Sequence, residues 1–214
     1  MEHKIKIAII GGTGKSGKYL VQELLAQGFP IKLLLRNPAT CQTAHSLVEV
    51  IPGNVTDYNA VYKLIEGCQA VISMLGMGIP ASEPTIFSLS TTHVIRAMQV
   101  CGVQRYLVTT GLNVDTPFDS KTGKTLLATE WMKTTYPVST ANKQLEYELL
   151  VNSPVNWTQV RLPMIGLTKE RSEVAISLSD CPGDTINAGN LANFLIEQLF
   201  STEYVKKSPF IANV

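Results

Sequence analysis

The chain alternates between short apolar stretches rich in β-branched residues and longer stretches in which apolar residues recur with a helical period. Such alternation is typical of βαβ units, whose helices cover both faces of a parallel sheet. We therefore expect an α/β fold with a doubly wound parallel sheet. The predicted strands are Ile5–Ile10, Ile31–Leu35, Val48–Ile51, Ala70–Met74, Arg105–Thr109 and Asn156–Arg161.

The segments between these strands have the spacing of amphipathic helices. In the first of them, Leu20, Leu24 and Leu25 are spaced to face a core, and Gly28 provides a C-terminal stop signal. The predicted helices are Lys15–Gln27, Tyr58–Ile65, Thr85–Cys101, Thr122–Thr134 and Thr140–Val151.

The pattern changes after Arg161, where "EVAISLSDCPGDTI" indicates irregular or antiparallel β structure. A last amphipathic helix, Ala188–Phe200, and an edge strand, Ser208–Ala212, are predicted beyond it. Additions of this kind commonly wall the substrate side of a doubly wound sheet. Since we find no linker or repeat, we expect a single domain over residues 1–214, with residues 162–214 as a small substrate-side extension.

The first strand runs into "GGTGKSG", which contains two alternative phosphate-binding patterns. A triphosphatase loop requires G-x-x-x-x-G-K-[ST], because its first glycine opens the loop that surrounds the phosphates. The residue five positions before Gly14 is Ile9, inside the predicted strand. The triphosphatase interpretation is therefore not favoured.

The second pattern, G-x-G-x-x-G, is complete from Gly12 to Gly17 and lies between a strand and a helix. In a dinucleotide-binding (Rossmann) fold these glycines allow a tight turn at Gly12, room for the pyrophosphate at Gly14 and close helix packing at Gly17. Gly11 adds an overlapping G-x-x-G-x-x-G pattern. The alternative is a glycine-rich turn that serves packing alone.

The end of the second strand distinguishes between the two nicotinamide dinucleotides. NAD sites usually have an acidic residue there for the ribose hydroxyls, whereas this strand ends in Arg36 and Asn37. A guanidinium would bind a 2′-phosphate bidentately. Arg36 therefore favours NADP(H) over NAD(H), the alternative being a solvated arginine at a strand end.

Composition and charge exclude several other classes of function. The net charge is +1 and Lys and Arg are scattered, so no basic stripe indicates a nucleic-acid partner. The four cysteines lie far apart without C-x-x-C or histidine spacing, which predicts no metal site. No apolar run approaches the roughly 20 residues of a membrane span, and no signal peptide is recognisable. We expect a cytoplasmic protein without a membrane partner.

An ordered set of motifs extends over almost the whole chain: "IIGGTGKSG", "LLLRNP", "GNVTD", "AVISMLG", "VQRYLVTTG", "NKQLEYELLVNSPVNWTQVRLPMIG" and "DTINAGNLANFLIEQL". With these motifs the sequence resembles the atypical short-chain dehydrogenase/reductase proteins, especially their NmrA-like and biliverdin-IXβ/flavin-reductase-like branch. The resemblance implies an NAD(P)-binding Rossmann fold.

The resemblance also implies which residues contact the cofactor. Arg36 would bind the adenosine 2′-phosphate, Asn54 and Val55 the adenine edge, and Leu75 and Gly76 the nicotinamide ribose. Relatives usually have aspartate where this chain has Asn54, whose amide can still donate and accept; the alternative is a turn residue before a helix. The pyrophosphate would be bound by Gly11, Gly12, Thr13, Gly14, Lys15, Ser16 and Gly17.

The sequence departs from the family at the catalytic residues. Many members have Y-x-x-x-K, and Lys143 matches its lysine, but Ser139 occupies the tyrosine position. Tyr136 is seven residues from Lys143, too far to replace that tyrosine on the same helix. Lys143 and Thr110 are the candidate catalytic residues, with Thr109 and Lys143 beside the cofactor. The alternatives are a solvated lysine and two threonines that serve only the strand.

The missing tyrosine argues against reactions that move a proton to or from an alcohol oxygen together with hydride. We therefore expect an NADPH-dependent oxidoreductase whose small acceptor is a conjugated ring of the flavin or quinone class. Met77 or Ile79, in the loop after the fourth strand, are candidates to shape an apolar acceptor pocket. The alternatives are an NmrA-like redox sensor without catalysis and, less favoured, a sugar-nucleotide epimerase or dehydratase. Either a monomer or a homodimer is compatible with the sequence.

Overall fold

The computed structural model describes residues 5–38, 45–77 and 82–214. Ile79 lies outside the described residues, so its predicted contribution to an acceptor pocket is not considered further. An eight-stranded sheet and a separate two-stranded sheet form the β structure. The strands are β1 (Ile7–Ile10), β2 (Ile31–Leu35), β3 (Val48–Pro52), β4 (Ala70–Ser73), β5 (Arg105–Gly111), β6 (Asn156–Leu162), β7 (Met164–Gly166), β8 (Val174–Ser177), β9 (Thr185–Asn187) and β10 (Phe210–Asn213).

The large sheet has the order β3-β2-β1-β4-β5-β6-β10-β8, and all its pairs are parallel except β10 with β8. The chain moves outward through β2 and β3 on one side of β1 and continues with β4 on the other side. In open α/β sheets, ligands bind at the carboxyl ends of the strands where the strand order reverses in this way. The predicted α/β fold with a doubly wound parallel sheet is confirmed.

Helices cover both faces of the sheet. The two helices α1 and α6 bury one face of it, and α2, α3 and α5 bury the other, with α4 packed on α5. The helices are α1 (Gly17–Ala26), α2 (Tyr58–Ile65), α3 (Ile86–Cys101), α4 (Gly123–Thr135), α5 (Pro137–Val151) and α6 (Ala188–Gln198). In the part of the chain that the structure describes, no helix is long and apolar enough to cross a membrane.

Strand β1 shows why the central strands are continuous apolar runs. Ile7 and Ile9 pack into the core beneath α1 and α6, while Ala8 and Ile10 pack into the core beneath α2 and α3. All these residues are buried, as expected for a parallel strand covered on both faces. The buried sheet rigidly positions the loops at its carboxyl edge.

The strand predicted over Ser208–Ala212 does not lie at the edge. Its observed counterpart, β10, lies between β6 and β8, and Phe210 faces Arg161 on one side and Ser177 on the other. The edge prediction was wrong because β8 returns antiparallel and covers the outer side of β10. The second sheet, β7 with β9, has strands of three residues, too short for a periodic pattern.

Two helix starts also differ from the prediction. The first helix begins at Gly17 because residues 11–16 form the turn that leaves β1. The helix predicted from Thr140 begins at Pro137, whose fixed φ angle and missing N–H suit a first helical turn.

Candidate functional site

A cleft of about 660 Å³ opens at the carboxyl edge of β1, β2 and β4, where the strand order reverses. It brings together most residues that the sequence assigned to a dinucleotide. The cleft is lined by Ile10, Gly11, Thr13, Gly14, Lys15, Ser16, Leu34, Arg36, Gly53, Asn54, Val55, Met74, Leu75, Gly76, Ser82 and Ile86. Four of the predicted cofactor residues are not among the described residues that line the cleft: Gly12, Gly17, Thr109 and Lys143.

The turn between β1 and α1 depends on Gly11. Its φ is +75°, and a β-carbon there would lie 2.5 Å from the carbonyl oxygen of Met74. The turn is closed by the amide of Gly14, which donates to the carbonyl of Gly11 at 3.0 Å. Gly11 therefore provides the tight turn that the sequence analysis assigned to Gly12, and that assignment is corrected.

Two other glycines bring α1 close to β1 and β2. A β-carbon at Gly17 would lie 2.1 Å from the Gly11 carbonyl oxygen, and one at Gly12 would lie 2.5 Å from a methyl group of Leu33. Both glycines are buried. Gly17 has the predicted packing role, and Gly12 has a packing role rather than a position in the cleft.

The four residues 13–16, which lead into the N-terminus of α1, line the cleft. Ser16, the N-cap residue, makes no side-chain capping hydrogen bond. The first N–H groups of a helix have no intrahelical acceptor, and the helix dipole favours an anion there. Residues 13–16 therefore form a cradle that fits a pyrophosphate.

The charged residues of the cleft are Lys15 and Arg36, and both are exposed. Lys15 lies beside the N-terminus of α1, and Arg36 follows β2. None of the described residues that line the cleft carries a carboxylate. The site is thus electropositive at two places that a phosphorylated dinucleotide would occupy.

Asn54 and Val55 form the wall opposite the glycine turn. Asn54 accepts a hydrogen bond from the amide of Thr56 at 3.3 Å, so it is a turn residue that also lines the cleft. The Val55 carbonyl accepts from Nδ1 of His93 at 3.0 Å. Asp57 caps α2 through the amide of Asn59 at 2.9 Å.

Lys143 lies at the carboxyl end of β5. A β-carbon placed on Gly111 would lie 2.7 Å from Oδ1 of Asn113, 3.0 Å from Cε of Met132 and 3.7 Å from Nζ of Lys143. The ammonium also lies 5.0 Å from the centre of the Phe87 ring. Burial lowers the pKa of Lys143, and the carboxylate of Glu146 acts in the opposite direction. Lys143 is therefore a partly desolvated cation rather than a fully solvated helix lysine.

The two threonines of β5 point to opposite faces of the sheet. Thr109 is partly buried and donates to the carbonyl of Ser73 at 3.4 Å. Thr110 is buried on the side of Tyr106 and Val108, and its hydroxyl has no hydrogen-bond partner among the described residues. Neither threonine lines the cleft as described, so Thr110 lacks direct support as a catalytic group.

Tyr136 does not replace the missing catalytic tyrosine. It stands between α4 and α5, is 53% exposed, and packs edge-on against Trp131 with ring centres 5.6 Å apart. Ser139, at the tyrosine position of the family motif, is the third residue of α5 and lies in its first turn. The tyrosine that donates a proton in the family motif is therefore absent from its position four residues before Lys143.

A second cavity of about 350 Å³ lies between α4 and the C-terminal extension. It is partly polar. Asp180 accepts from the Thr122 amide at 3.1 Å and its hydroxyl at 2.6 Å, and Lys124 pairs with Asp184 across the opening. Its lining comprises Leu112, Thr122, Gly123, Lys124, Thr125, Ala128, Pro163, Met164, Asp180, Cys181, Pro182, Gly183 and Asp184. Part of residues 162–214 thus encloses a cavity beside the end of β5.

Sequence reasoning did not identify Asn113 or the contact of His93 with Val55. Neither belongs to a recurring motif, and each is brought to the site by packing between distant segments. The only available signal was the position of Asn113 two residues after the end of β5. Among the described residues, no group of three or more His, Cys, Asp or Glu side chains is placed to hold a metal ion.

Comparison with known proteins agrees with this geometry. Residues 11–202 match the model of a family described as NAD(P)H-binding. Phenylcoumaran benzylic ether reductase 1 of Arabidopsis thaliana is 31% identical over 97 residues, which make up 41% of this chain and 32% of that protein. The chain thus matches about a third of the length of this relative.

Solved structures of low identity share the fold. A short-chain dehydrogenase/reductase of Veillonella parvula is 15% identical and superimposes with a TM-score of 0.81, covering 98% of this chain and 94% of that one. A structure from the same organism in complex with NADP gives a TM-score of 0.78 at 14% identity, with coverage of 98% and 94%. With its family match over residues 11–202, the chain belongs to the NAD(P)H-binding family.

Proposed function

We propose that the protein is an NADPH-dependent reductase that transfers hydride to a small conjugated acceptor of the flavin or quinone class. The charge of the cleft carries this proposal: Lys15 and Arg36 line it, and no carboxylate is found among its described lining residues. A carboxylate near the adenosine ribose would repel a 2′-phosphate, whereas a guanidinium binds it bidentately.

The residues present fit a nicotinamide dinucleotide. The amides of Thr13, Lys15 and Ser16 would bind the pyrophosphate, Arg36 the 2′-phosphate and Asn54 the adenine edge, while Leu75 and Gly76 would hold the nicotinamide ribose. When bound, the reduced nicotinamide supplies hydride. NADP in the Veillonella parvula structure supports the same cofactor here.

The chemistry near Lys143 favours an acceptor that needs little proton catalysis. No tyrosine occupies the family position, and Tyr136 lies against Trp131. A conjugated ring spreads the negative charge that hydride brings, so the protein mainly has to align two rings. Lys143 holds a proton next to Gly111, where it can stabilise that charge electrostatically.

The cavity between α4 and the C-terminal extension is the proposed acceptor site. Its volume of about 350 Å³ suits a molecule of one to three rings, and Leu112, Pro163 and Met164 provide apolar walls. Leu112 directly follows Gly111, so this cavity and Lys143 meet at the end of β5. That a plant relative is named a reductase agrees with this direction of hydride transfer.

To test this proposal, a panel of acceptors is mixed with the protein and NADPH under anaerobic conditions. Oxidation of NADPH is measured as the loss of absorbance of the reduced nicotinamide. Riboflavin, FMN and a naphthoquinone represent the proposed class, and simple ketones and aldehydes serve as controls. We expect turnover with a ring acceptor and a lower kcat in Lys143→Met. Turnover with ketones alone would overturn the acceptor class.

The burial of the Thr110 hydroxyl and the absent tyrosine also favour a second candidate function, a redox sensor that binds NADP(H) without catalysis. A sensor would bind NADPH with no turnover across the panel. Its affinity for a protein partner would then differ between the NADPH-loaded and NADP-loaded forms.

A further inference from the structure

Glu146 is a buried acidic residue that the proposed reaction does not yet use. It is 2% exposed and lies on α5, three residues after Lys143. Residues three apart lie on the same face of a helix, so the two side chains are neighbours. Acidic side chains are almost never fully buried unless they are paired, which calls for a partner for Glu146.

The hydrogen bonds of Glu146 satisfy only half of its carboxylate. The Thr91 hydroxyl of α3 donates to Oε1 at 2.8 Å, and the Tyr106 hydroxyl of β5 lies 3.2 Å from the same threonine oxygen. Oε2 has no hydrogen-bond partner among the described residues. The Gln159 side-chain amide, which lowers the Glu146 pKa, is the polar group available to Oε2, so Lys143 acts on the carboxylate through its charge alone.

Lys143 lacks an acidic hydrogen-bond partner in the same way. The ammonium lies 5.0 Å from the centre of the Phe87 ring, and it would lie 3.7 Å from a β-carbon placed on Gly111. Glu146 is the charged group that acts on Lys143, and Lys143 is the charged group that acts on Glu146. The two incompletely paired groups thus complement each other.

Burial affects the two members of this pair in opposite directions. It raises the pKa of Glu146 to about 7, while the Thr91 hydrogen bond, the Lys143 charge and the Gln159 amide lower it. It lowers the pKa of Lys143, which the Glu146 charge raises. Tyr106, the other titratable group at this position, has a pKa raised by burial and stays neutral.

We propose that Glu146 is a positioning residue that acts electrostatically, its carboxylate keeping the Lys143 ammonium charged at the end of β5 where the acceptor is reduced. This inference rests on the proposed function only for the role of Lys143 in the reaction. Where Glu146 is ionised, its charge offsets the desolvation of the ammonium, so Lys143 binds its proton more tightly beside the acceptor. Without Glu146, Lys143 would lose that proton at lower pH.

Nuclear magnetic resonance of the full chain, with ¹³Cε-lysine labelling and Lys143→Arg for assignment, measures this coupling directly. In Glu146→Gln we expect the proton affinity of Lys143 to fall by about tenfold or more. Glu148→Gln is the matched control, because it removes the same charge from an exposed position of the same helix. An unchanged Lys143 titration in Glu146→Gln, or an equal change in Glu148→Gln, overturns the proposal.

The reciprocal variant covers the case in which Glu146→Gln does not fold. Lys143→Met should strengthen proton binding by Glu146 by the same factor, because coupling between two sites is reciprocal. The carboxyl resonance of Glu146 reports this in the full chain. If the proton affinity of Glu146 is the same in Lys143→Met as in the wild-type protein, the proposal is overturned.

The pH profile of the reaction separates this inference from the proposed function. With a working acceptor, the alkaline limb of kcat should move to lower pH in Glu146→Gln and stay in place in Glu148→Gln. Turnover with an unmoved limb overturns the positioning role. Coupling without turnover in the wild-type protein supports the pairing and overturns only the reductase function.

Discussion

Arg36 shows how a single side chain defines the character of the cleft. It follows a fully buried strand, so its backbone is fixed while its exposed guanidinium reaches the adenosine side. A charge held at a rigid strand end acts on one part of the ligand, here the ribose that does or does not carry a phosphate. The proposed selectivity for NADPH over NADH is therefore expected to depend on this one residue.

Arg36→Glu is expected to weaken NADPH binding by roughly tenfold to a hundredfold, the size of one or two lost charge-assisted hydrogen bonds. NADH binding should change little, because NADH has no phosphate at this position. Calorimetric titration of both cofactors measures the difference. Arg171→Glu, an equal charge change outside the cleft, should leave the ratio unchanged. An equal loss for both cofactors would show that Arg36 does not select between them.

Glu146 gives a second residue-scale prediction, on stability. Its pKa is raised from 4.5 to about 7 in the folded protein, so the folded state binds this proton more tightly than the unfolded state. The stabilising contribution is fully present below pH 4.5 and is lost as the pH rises through about 7. Over that range it amounts to about 3 kcal/mol at most.

Denaturant unfolding at several pH values, compared between wild type and Glu146→Gln, tests this prediction. The wild-type protein should lose stability relative to the variant between pH 5 and pH 8, by up to about 3 kcal/mol. Parallel pH profiles for the two proteins would argue that Glu146 titrates in the folded state as it does in the unfolded chain.

At the scale of elements, Arg161 joins β6 to three other segments. The fully buried guanidinium donates to both carboxylate oxygens of Asp119 at 2.6 and 2.8 Å and to the carbonyls of Ser208 at 2.8 Å and Leu178 at 3.1 Å. It also stacks on the Phe210 ring at 3.5 Å. This one side chain fixes the C-terminal extension and the segment after β5 around the proposed acceptor cavity.

Arg161→Met should destabilise the protein by about 3–5 kcal/mol, because it leaves the Asp119 carboxylate without its main cation and several carbonyls without donors. Chemical denaturation measures the loss. In the double variant Arg161→Met with Asp119→Leu, stability should partly recover, since the uncompensated charge is removed. Strictly additive losses would show that the pair is not coupled.

At the scale of the whole molecule, the strands of the central sheet were predictable from sequence. A parallel strand covered on both faces must be apolar throughout, and Ile31–Leu35 was predicted with the observed bounds. The position of β10 was not predictable, because the order of strands depends on pairing between residues far apart in sequence. The short strands β7 and β9 have too few residues for a pattern.

The residues of the candidate site, like the strands of the sheet, could be predicted from sequence only in part. Gly14, Arg36 and Leu75 follow strand ends, and the topology alone brings such positions to one edge. The burial of Thr110 was missed because it depends on which face of β5 lies beneath α3 and α5. Asn113 and Met132 approach Lys143 only through packing, which leaves no local signal.

The proposed NADPH cleft lies at the carboxyl ends of β1, β2 and β4, and the proposed acceptor cavity includes residues that follow β5 and β6. The central claim is that hydride passes between them. A single-turnover experiment tests it most directly, with NADPH deuterated at C4, stoichiometric protein and an anaerobic flavin or quinone. We predict complete oxidation of the bound NADPH, slowed by deuterium at the transferred position; bound NADPH that stays reduced with every acceptor would contradict the account.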